Sequence, residues 1–539
     1  MKGHTVLLCH LLLGVQYVMC SDHELYEYLN MTEPANRQLY EFKLHHKKPI
    51  GILTTGAGQL VEIRETVTLN SDAFSNQYFI NLLTHNNAER IPERNVHAKG
   101  GGAYGYFEVT HDVSEYIKSD VFNGIGKKTP IVSRFSPVTP NLGGSDLVRE
   151  HRGMAVKFFT KEGNLDLVCI SFPVFFHKDP IDFPSFVHSR KRNPKTNLMD
   201  FSMHWDFVTK RPVTMHAQLW LLSDFGIPNG YRKMNAFAVH TFEVYNKFGK
   251  RYFVRFNFRT NQGIENLSTE QAEEIQARDP DYFNRDLYNA IEKKHFPSWT
   301  LEMDVLLLED VTKLDYDPFD ITRLWKKGTY KTVPIGCLTL VQNPDNFFKD
   351  VELSAYDPGH LVPGIIGGVD DLFRARRFAY RDTQVYRLGV NHNRIEVNNP
   401  LYRKVYNRDG VPPVRENMKD APNYYPNSFN GPVPYVDPNR PKDKFVIYSS
   451  NAVDLQPAAD FYNKILQCED QRERLVNNTV TLLLPVSPKL QRRVIRLFSL
   501  TDENLGKKVE TGLKKALHMH PHPPIIHTLK FIVHDKHAI

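Results

Sequence analysis

The sequence predicts an α+β protein in which antiparallel strands form a barrel and a block of helices follows. Short strand-like runs separated by turn residues recur over residues 100–340. Residues 400–441 are rich in Pro and Asn and show little apolar periodicity, as expected of a long loop. Over residues 455–517 the apolar residues return at helical spacing. Many antiparallel strands punctuated by turns are typical of a barrel.

The first 20 residues have the pattern of a secretory signal peptide. Lys2 precedes a mostly apolar run over residues 6–18, and polar residues begin at Ser21. Cleavage after Cys20 would leave three cysteines, a sparse and odd set that cannot form a disulfide framework. We therefore expect entry into the secretory pathway. Glycosylation sequons consistent with secretion start at Asn30, Asn266 and Asn477.

The remainder of the chain divides by composition. Few periodic apolar runs occur in residues 21–75, which predicts an extended N-terminal arm. The barrel domain is expected over residues 76–390 and a long loop over residues 391–450. A helical domain then covers residues 451–517, and a His-rich tail of residues 518–539 is most simply a solvated segment.

Within the barrel domain the clearest signal is a hairpin over residues 240–260 with its turn at residues 246–250. In its second arm, alternate residues from Tyr252 to Phe258 would share one face. Further strands are predicted at residues 104–110, 130–136, 165–170, 301–308 and 332–341, and helices at residues 269–278 and 286–295.

Composition limits the classes of partner. A hydrophobic content of 41% with 24% charged residues describes an ordinary globular protein. The net charge of +7 is spread along the chain and forms no basic stripe of the kind that binds nucleic acid. Beyond the N-terminus, no run is long and apolar enough to span a bilayer. We therefore expect neither a nucleic-acid partner nor a membrane span.

A helix is also expected over residues 373–383, where neither Gly nor Pro interrupts the chain. Four-residue spacing places Arg376 and Tyr380 on one face of it, one turn apart. A guanidinium beside a phenol favours the phenolate, because an opposite charge stabilises the ionised form. Phenolate is a ligand of iron. For this pattern alone, a basic surface helix with a half-buried Tyr is the simpler interpretation.

A second candidate group surrounds His97. The small residues Ala98, Gly100, Gly101 and Gly102 follow it and would let a backbone or a flat ligand approach closely. A neutral imidazole in such a place can act as a general base. A structural role is the alternative, because a single His without other ligand residues nearby makes a poor metal site.

A third candidate group lies on the strand predicted at residues 130–136. Alternation along a strand places Arg134 and Ser136 on one face together with Val132. A cation and a hydroxyl would then point toward one volume, and Arg favours bidentate binding of carboxylates. An outward-facing Arg on an ordinary strand is the alternative.

Together these stretches resemble the haem catalases. Residues 90–107 are similar to the distal-histidine signature of that family, and residues 374–388 are similar to its proximal haem-ligand signature. Further matching stretches are residues 53–58, 179–186 and 421–429. The resemblance runs in unbroken order over residues 53–429. It implies an N-terminal arm, an antiparallel eight-stranded β-barrel, a wrapping loop and a C-terminal helical bundle, assembled as a homotetramer.

The resemblance also implies a haem-dependent catalase that disproportionates hydrogen peroxide into water and oxygen. His97 would take a proton from one peroxide oxygen and return it to the other, and Ser136 would orient the His97 ring. Tyr380 would be the axial ligand of the haem iron, held as tyrosinate by Arg376. Further haem contacts are implied for Arg94, Arg134 and Arg387 at the propionates, Phe183 on the porphyrin, and Val96 and Phe175 along the route to the iron.

The chain departs from the family pattern on the distal side. Ile170 stands where the family has a catalytic Asn that hydrogen-bonds the peroxide, and Ile170 cannot donate a hydrogen bond. Losing one such donor typically lowers a rate on the order of 10²-fold, so we expect reduced activity. The alternative is a haem-binding catalase-like protein with little or no turnover and a binding or structural role. Ser171 is adjacent but should point to the opposite face. Arg381 replaces the usual Pro after Tyr380 without removing the ligand.

The NADPH pocket of the family is only partly retained. Phe225 and Lys327 replace an Arg and a His that contact the dinucleotide, which counts against NADPH as a second cofactor. Matching positions are His216, Ser223, Asn235 and Trp325, with Trp220 and Arg259 as substitutes. The resemblance implies a peroxisomal or other intracellular location as the alternative to secretion. The chain, however, ends His537-Ala538-Ile539 rather than in a peroxisomal address of the Ser-Lys-Leu type.

Overall fold

The computed structural model describes residues 22–69, 75–411, 416–447 and 453–519. The predicted signal peptide and nearly all of the predicted His-rich tail therefore lie outside the described residues. Within these ranges, no helix combines the length and the apolar character needed to cross a membrane. The chain separates into two compact units, of which the smaller contains the residues up to Ile91 together with residues 288–295.

In the smaller unit, the predicted arm is helical rather than extended where it begins. Pro34 starts a helix, because the first turn needs no backbone N–H there. Asn289 holds this turn by accepting a hydrogen bond from the Ala35 N–H and donating one to Glu33. The helices are α1 (Asp22–Met31), α2 (Pro34–His45) and α3 (Gln77–Ala88).

The larger unit is built on antiparallel strands. They are β1 (Gly101–Val109), β2 (Lys128–Pro137), β3 (Arg152–Thr160), β4 (Gly163–Ile170), β5 (Ala236–Phe237), β6 (Phe242–Tyr245), β7 (Arg251–Thr260), β8 (Ser298–Leu307), β9 (Lys331–Gln342) and β10 (Ile365–Gly368). They pair in the order β10-β6-β7-β5-β4-β3-β2-β1-β9-β8, and a further pairing of β7 with β8 closes the sheet into a barrel. Because β5 and β6 pair with the same edge of β7, they count as one interrupted strand. Strand β10 pairs with β6 and lies outside the ring. The ring therefore has eight strands, which confirms the predicted fold class.

The inside of the barrel is apolar. Along β8, Trp299, Leu301 and Met303 are buried while their neighbours are partly exposed, which is the alternation of a strand. Phe135 of β2 contacts Trp299 with 5.5 Å between the ring centroids, so strands on different sides of the ring meet through this face. The residues that alternate with Phe135 on β2 therefore lie on the outer face of the barrel.

The interrupted strand carries a bulge. Between Phe237 and Phe242 this strand advances five residues while β7 advances three. Val239 within the bulge has a φ of 54°, a left-handed conformation that costs a β-branched residue about 1–3 kcal/mol. His240 follows it and is buried. The bulge thus places His240 where a regular strand would continue to pair with β7.

Helices cover the outside of the barrel and form the C-terminal part. Leu483, Val494, Phe498 and Val509 of this part are buried in one apolar cluster with Trp205. The described residues of 399–447 contain neither helix nor strand. The remaining helices are α4 (Asp182–Arg190), α5 (Phe201–Lys210), α6 (Met215–Leu222), α7 (Thr269–Arg278), α8 (Tyr282–Glu292), α9 (Asp371–Leu388), α10 (Gln456–Asp460), α11 (Glu469–Leu483), α12 (Pro488–Thr501) and α13 (Glu503–Met519).

Candidate active site

A chain of hydrogen bonds runs along the first turns of α9. The Asp370 carboxylate caps the helix by accepting from the Phe373 N–H at 2.8 Å, and it also accepts from His240 Nδ1 at 2.9 Å. His240 Nε2 accepts from Arg376 Nη1 at 2.9 Å, and Arg376 Nη2 donates to Tyr380 Oη at 2.7 Å. Arg376 and Tyr380 therefore meet as their four-residue spacing predicts. The hydrogen bonds through His240 to Asp370 hold the guanidinium in place.

The charges along this chain follow from burial and contact. Burial lowers the pKa of His240 and outweighs the opposing effect of the Asp370 carboxylate. Burial would raise the pKa of Asp370, but its interaction with His240 and the hydrogen bonds from His240 and the Phe373 N–H bring it below the ordinary value. A carboxylate can only accept, so His240 carries its hydrogen on Nδ1 and offers Nε2 to Arg376. The guanidinium is thus oriented by a neutral imidazole that an ionised carboxylate fixes.

On the distal side, His97 is held in one tautomer. Its Nδ1 lies 3.1 Å from the Pro137 carbonyl oxygen and 3.0 Å from Ser136 Oγ. Since a carbonyl only accepts, Nδ1 carries the hydrogen and Nε2 is left with a lone pair. The backbone N–H of His97 donates to the Val138 oxygen at 2.9 Å, and its φ of 65° is strained for a residue other than Gly. A non-glycine residue in this conformation is typical of functional sites.

The electrostatics keep His97 neutral. Burial, followed by the positive charge of Arg134, lowers the pKa of His97 to about 3. Arg376 and Arg94 act in the same direction. An imidazole that stays unprotonated through the physiological range can accept a proton at Nε2, which is what a general base needs.

Ile170 shares a cross-strand row with the residues around His97. The register pairs Ser136 with Gly153 on β3 and Gly153 with Ile170 on β4, so the three side-chain positions face the same way, on the outside of the barrel. Ile170 is 9% exposed and offers no donor. The Ser171 hydroxyl lies beside the backbone of β3, where it accepts from the Arg152 N–H at 2.9 Å.

Three arginines and one glutamate form a buried cluster nearby. Glu352 contacts Arg94 at 3.3 Å and Arg387 at 2.7 Å, while Arg134 donates to the Ala98 oxygen at 3.0 Å. Three positive charges against one negative charge leave an excess of two among these four side chains. Burial lowers the pKa of Arg134 to about 9 and that of Arg387 to about 10. Among the described residues, Arg134 Nε and Arg387 Nη1 have no hydrogen-bond partner.

An apolar wall joins the two sides. Val96, Phe175 and Phe183 are partly buried and pack against a cluster that contains Ile170. Arg376 Nη2 lies 3.5 Å from the Val168 oxygen on β4, two residues before Ile170. The structure therefore brings the predicted proximal and distal residues to one part of the outer barrel face. Arg381 is exposed and takes no part in these contacts.

Comparison with known proteins identifies the family of this chain. A family model described as "Catalase" matches residues 57–431. The chain belongs to the catalase family. A second model, described as "Catalase-related immune-responsive", matches residues 454–513, within the C-terminal helices.

Individual catalases are similar over nearly their whole length. The catalase of Drosophila melanogaster is 40% identical over 503 residues, which cover 90% of this chain and 98% of that protein. A peroxisomal catalase of Toxoplasma gondii is 40% identical over 478 residues, which cover 86% of this chain and 95% of that protein. The solved structure of catalase A from Saccharomyces cerevisiae superposes with a TM-score of 0.81 at 35% identity, covering 86% of this chain and 99% of that chain. The chain is thus an enzyme of the catalase class.

Catalases generally bind haem, and the residues of this catalase chain fit that group. The excess of two positive charges in the arginine cluster matches the two propionate carboxylates of a haem. The nitrogens without partners, Arg134 Nε and Arg387 Nη1, are donors that such carboxylates would satisfy. A phenol oriented by Arg376 is the ligand type expected of this family.

The predicted NADPH residues meet at a cavity of about 940 Å³ on the outer face of the larger unit. His216, Asn235, Arg259 and Trp325 line it, but Ser223 is fully buried and its hydroxyl donates to the Trp220 oxygen at 2.7 Å. The same cavity is lined by Phe225 and Lys327, which replace the family's Arg and His, and by the substitute Trp220. The Trp220 ring contacts Phe225 at 4.9 Å and Phe461 at 4.7 Å between centroids. These three aromatic rings therefore form part of the cavity wall.

Several residues of the site are not apparent from the sequence. Asp370 has a local signal, because an Asp directly before a helical run is a frequent N-cap. Glu352 and His240 have none, since each acts through residues far away in the chain. Gly153 sits in a strand that local periodicity does not predict.

Proposed function

We propose that this protein is a haem-dependent catalase that disproportionates hydrogen peroxide into water and oxygen. The observation that carries the proposal is the combination of two groups in one structural unit. One is a half-buried neutral imidazole, His97, with a lone pair on Nε2. The other is a phenol, Tyr380, hydrogen-bonded by a guanidinium at 2.7 Å.

The residues of this site would hold the haem as follows. Tyr380 would ligate the iron, and Arg376 would stabilise the negative charge on the phenol oxygen. Arg94, Arg134 and Arg387 would bind the propionates, and Glu352 would orient two of these guanidiniums, those of Arg94 and Arg387, by pairing with them. Phe175 and Phe183 would supply apolar contact. Haem, when bound, would supply the redox-active iron that takes electrons from one peroxide and returns them to the other.

The task left to the protein is proton transfer between the two peroxide oxygens. His97 Nε2 would receive the proton of one oxygen and give it to the other, which leaves as water. Ser136 and Pro137 keep the other ring nitrogen protonated, so Nε2 would be the atom that accepts the proton. Two peroxide molecules would yield two water molecules and one oxygen molecule, and His97 would end each cycle unprotonated.

We propose that Ile170 slows this reaction. The isoleucine side chain lies in the row of Ser136 and Gly153, where an amide could hydrogen-bond the departing oxygen. Because Ile170 supplies no donor, the transition state would lose one hydrogen bond, a deficit on the order of 10²-fold in rate. The base and the proximal ligand are retained, so turnover would continue.

The same residue supports a second candidate function, a haem-binding protein with little or no turnover. The two are separated by purifying the full chain, recording the Soret absorption band of the haem, and measuring oxygen release from hydrogen peroxide. Haem binding together with oxygen release supports the catalase. A haem-loaded protein without oxygen release would leave the second candidate, and a chain that takes up no haem contradicts both.

NADPH binding to the outer cavity is expected to be weak. Ser223 is turned to the Trp220 backbone, and Phe225 and Lys327 replace groups that contact the dinucleotide in the family. Titrating NADPH while following its fluorescence measures the affinity directly. A dissociation constant in the low micromolar range or below would contradict this expectation.

Assembly and location also follow from family and sequence. Catalases are usually tetramers, and we propose a homotetramer, to be tested by light scattering of the purified protein. We propose secretion on the strength of the N-terminal segment, although one relative is named a peroxisomal catalase. Comparing the protein in culture medium and in cell fractions distinguishes the two locations.

A further inference from the structure

His151 is a buried imidazole that the proposed reaction does not use. It directly precedes β3 and stands two residues before Gly153, so strand alternation turns both toward the outer face of the barrel. Its ring centroid lies 5.6 Å from that of Phe172 and 5.1 Å from that of Phe176. Phe172 in turn follows Ile170 by two residues. His151 and Phe172 therefore form the next layer of the wall whose first layer is Gly153 and Ile170.

One nitrogen of the His151 ring lacks a hydrogen-bond partner among the described residues. The residue is 3% exposed, and within the described part of the chain its Nδ1 has no hydrogen-bond partner. Leaving a buried polar atom unpaired is costly, so such atoms are usually satisfied by an ordered water or a ligand. The neighbouring side chains of Phe172 and Phe176 offer no hydrogen-bonding group. The unpaired Nδ1 of His151 is thus available to hydrogen-bond a small polar molecule within the apolar wall.

His151 is neutral, which decides what it can bind. Burial, then the positive charge of Arg190, lowers the pKa of His151 well below its ordinary value. The Arg190 guanidinium lies 5.5 Å from the Phe176 ring and 3.9 Å from Glu150, and one of its nitrogens also lacks a partner among the described residues. A neutral imidazole has one donor and one acceptor. Each oxygen of hydrogen peroxide likewise donates and accepts, so the two are complementary.

We propose that His151 binds hydrogen peroxide on its approach to His97. This inference rests on the proposed catalase function and adds a substrate contact to it. Ser171 is held elsewhere, because its hydroxyl accepts from the Arg152 N–H at 2.9 Å and the residue lines the cavity of about 940 Å³. His151 is the side chain of the wall that combines burial, an unpaired nitrogen and a position two residues from the glycine that packs on His97.

The test compares His151→Leu with His151→Gln in the haem-loaded full chain. Leucine removes both hydrogen-bonding groups at similar volume, and glutamine keeps one donor and one acceptor. The second-order rate constant for oxygen release should fall about tenfold in His151→Leu, as expected for loss of one hydrogen bond, and stay within about threefold in His151→Gln. His204→Leu is the matched control, because His204 is also buried with an unpaired Nδ1 but contacts Trp205 on α5. Its rate should be unchanged.

Two further measurements do not depend on turnover. Cyanide, which reaches a haem as the small neutral acid, should associate more slowly with His151→Leu and at a nearly unchanged rate with His151→Gln. The midpoint of thermal unfolding should rise in His151→Leu, because an unpaired buried polar group is removed.

The outcomes separate this inference from the proposed function. Unchanged oxygen release and cyanide association in His151→Leu would overturn the role of His151 while leaving the catalase function intact. Equal loss in the leucine and glutamine variants, with a lowered unfolding midpoint in both, would also overturn it by identifying a packing role. A haem-loaded wild type that releases no oxygen contradicts the proposed turnover. In that case, slower cyanide association in His151→Leu than in His151→Gln still supports the binding role of His151, and equal rates contradict it.

Discussion

The backbone of Gly153 packs directly against the ring of His97. A Cβ at Gly153 would lie 2.9 Å from Cε1 and Nδ1 of that ring and 3.1 Å from Ser136 Oγ. Strand β3 thus limits how far the imidazole can turn, while Ser136 and Pro137 fix its direction. The orientation of the proposed base is a property of the barrel wall and not of the loop that carries His97.

Adding one methyl group should therefore disturb catalysis. Gly153→Ala would force the His97 ring to shift, and a displacement of about 1 Å at a catalytic group can cost on the order of 10²-fold in rate. Haem absorption should be retained, since the proximal ligand is untouched. Gly143→Ala is the control, because a Cβ added at Gly143 would meet no described atom within 4 Å and φ is unstrained there. Equal oxygen-release rates for both variants would contradict the packing argument.

Removing the base tests His97 itself. His97→Gln should leave the Soret band in place and lower oxygen release by roughly 10²–10⁴-fold, the range of general acid–base catalysis. Rapid mixing with hydrogen peroxide measures the rate. If the variant loses haem instead, His97 has a structural role and the assignment as base is wrong.

Restoring an amide at the row of Ser136 and Gly153 should accelerate the enzyme. Ile170→Asn introduces the missing donor and is expected to raise the rate by up to about 10²-fold. Ile170→Val changes the volume without adding a donor and should leave the rate nearly unchanged. An asparagine variant no faster than the valine variant would mean that another group already supplies this hydrogen bond.

The N-cap of α9, Asp370, offers a test of the hydrogen bonds that lead through His240 to Arg376 and Tyr380. Asp370→Ala removes the N-cap and the partner of His240, so we expect the free energy of unfolding to fall by about 2 kcal/mol or more. Asp371→Ala, at the exposed next position, should cost less than about 0.5 kcal/mol. Urea denaturation measures both. Similar losses in the two variants would show that the buried contact to His240 contributes nothing.

Stability should fall as the pH falls below about 6.5. Burial lowers the pKa of His97 and His204 to about 3 and that of His177 and His216 to about 4. The unfolded chain binds protons at these histidines from about pH 6.5 downward, whereas the native chain does not, so each contributes a loss of up to about 1.4 kcal/mol per pH unit. Urea denaturation at pH 7, 6 and 5 avoids the range in which carboxylates titrate. The control is His204→Leu, whose slope should be smaller than that of the wild type.

Local signals predict some elements well. Helix α7 begins where Ser268 and Gln271 form a capping box, and the sequence places it at the observed residues. Strand β3 is missed, because it is buried on both faces and contains Lys157. That charge is tolerated only because Lys157 pairs with Asp166 of β4 at 2.8 Å, a partner that no local pattern specifies.

The same distinction holds for the site. Arg376 and Tyr380 can be paired from sequence because both belong to one helix with four-residue spacing. The contact of His240 with Arg376 joins residues 136 positions apart, and the two carboxylate oxygens of Glu352 join arginines from opposite parts of the chain. Such contacts depend on how the barrel closes, so sequence periodicity carries no signal for them.

The bulge between β5 and β6 limits how this enzyme can be engineered. A redesign for thermal stability would remove the two extra residues, relieve the left-handed backbone of Val239 and continue the ladder to β7. His240 would then shift in register and lose its contact with Asp370 and Arg376. A straighter, more robust barrel would thus be obtained at the expense of the proximal side, and stabilising substitutions are better sought on the far wall at β8 and β9.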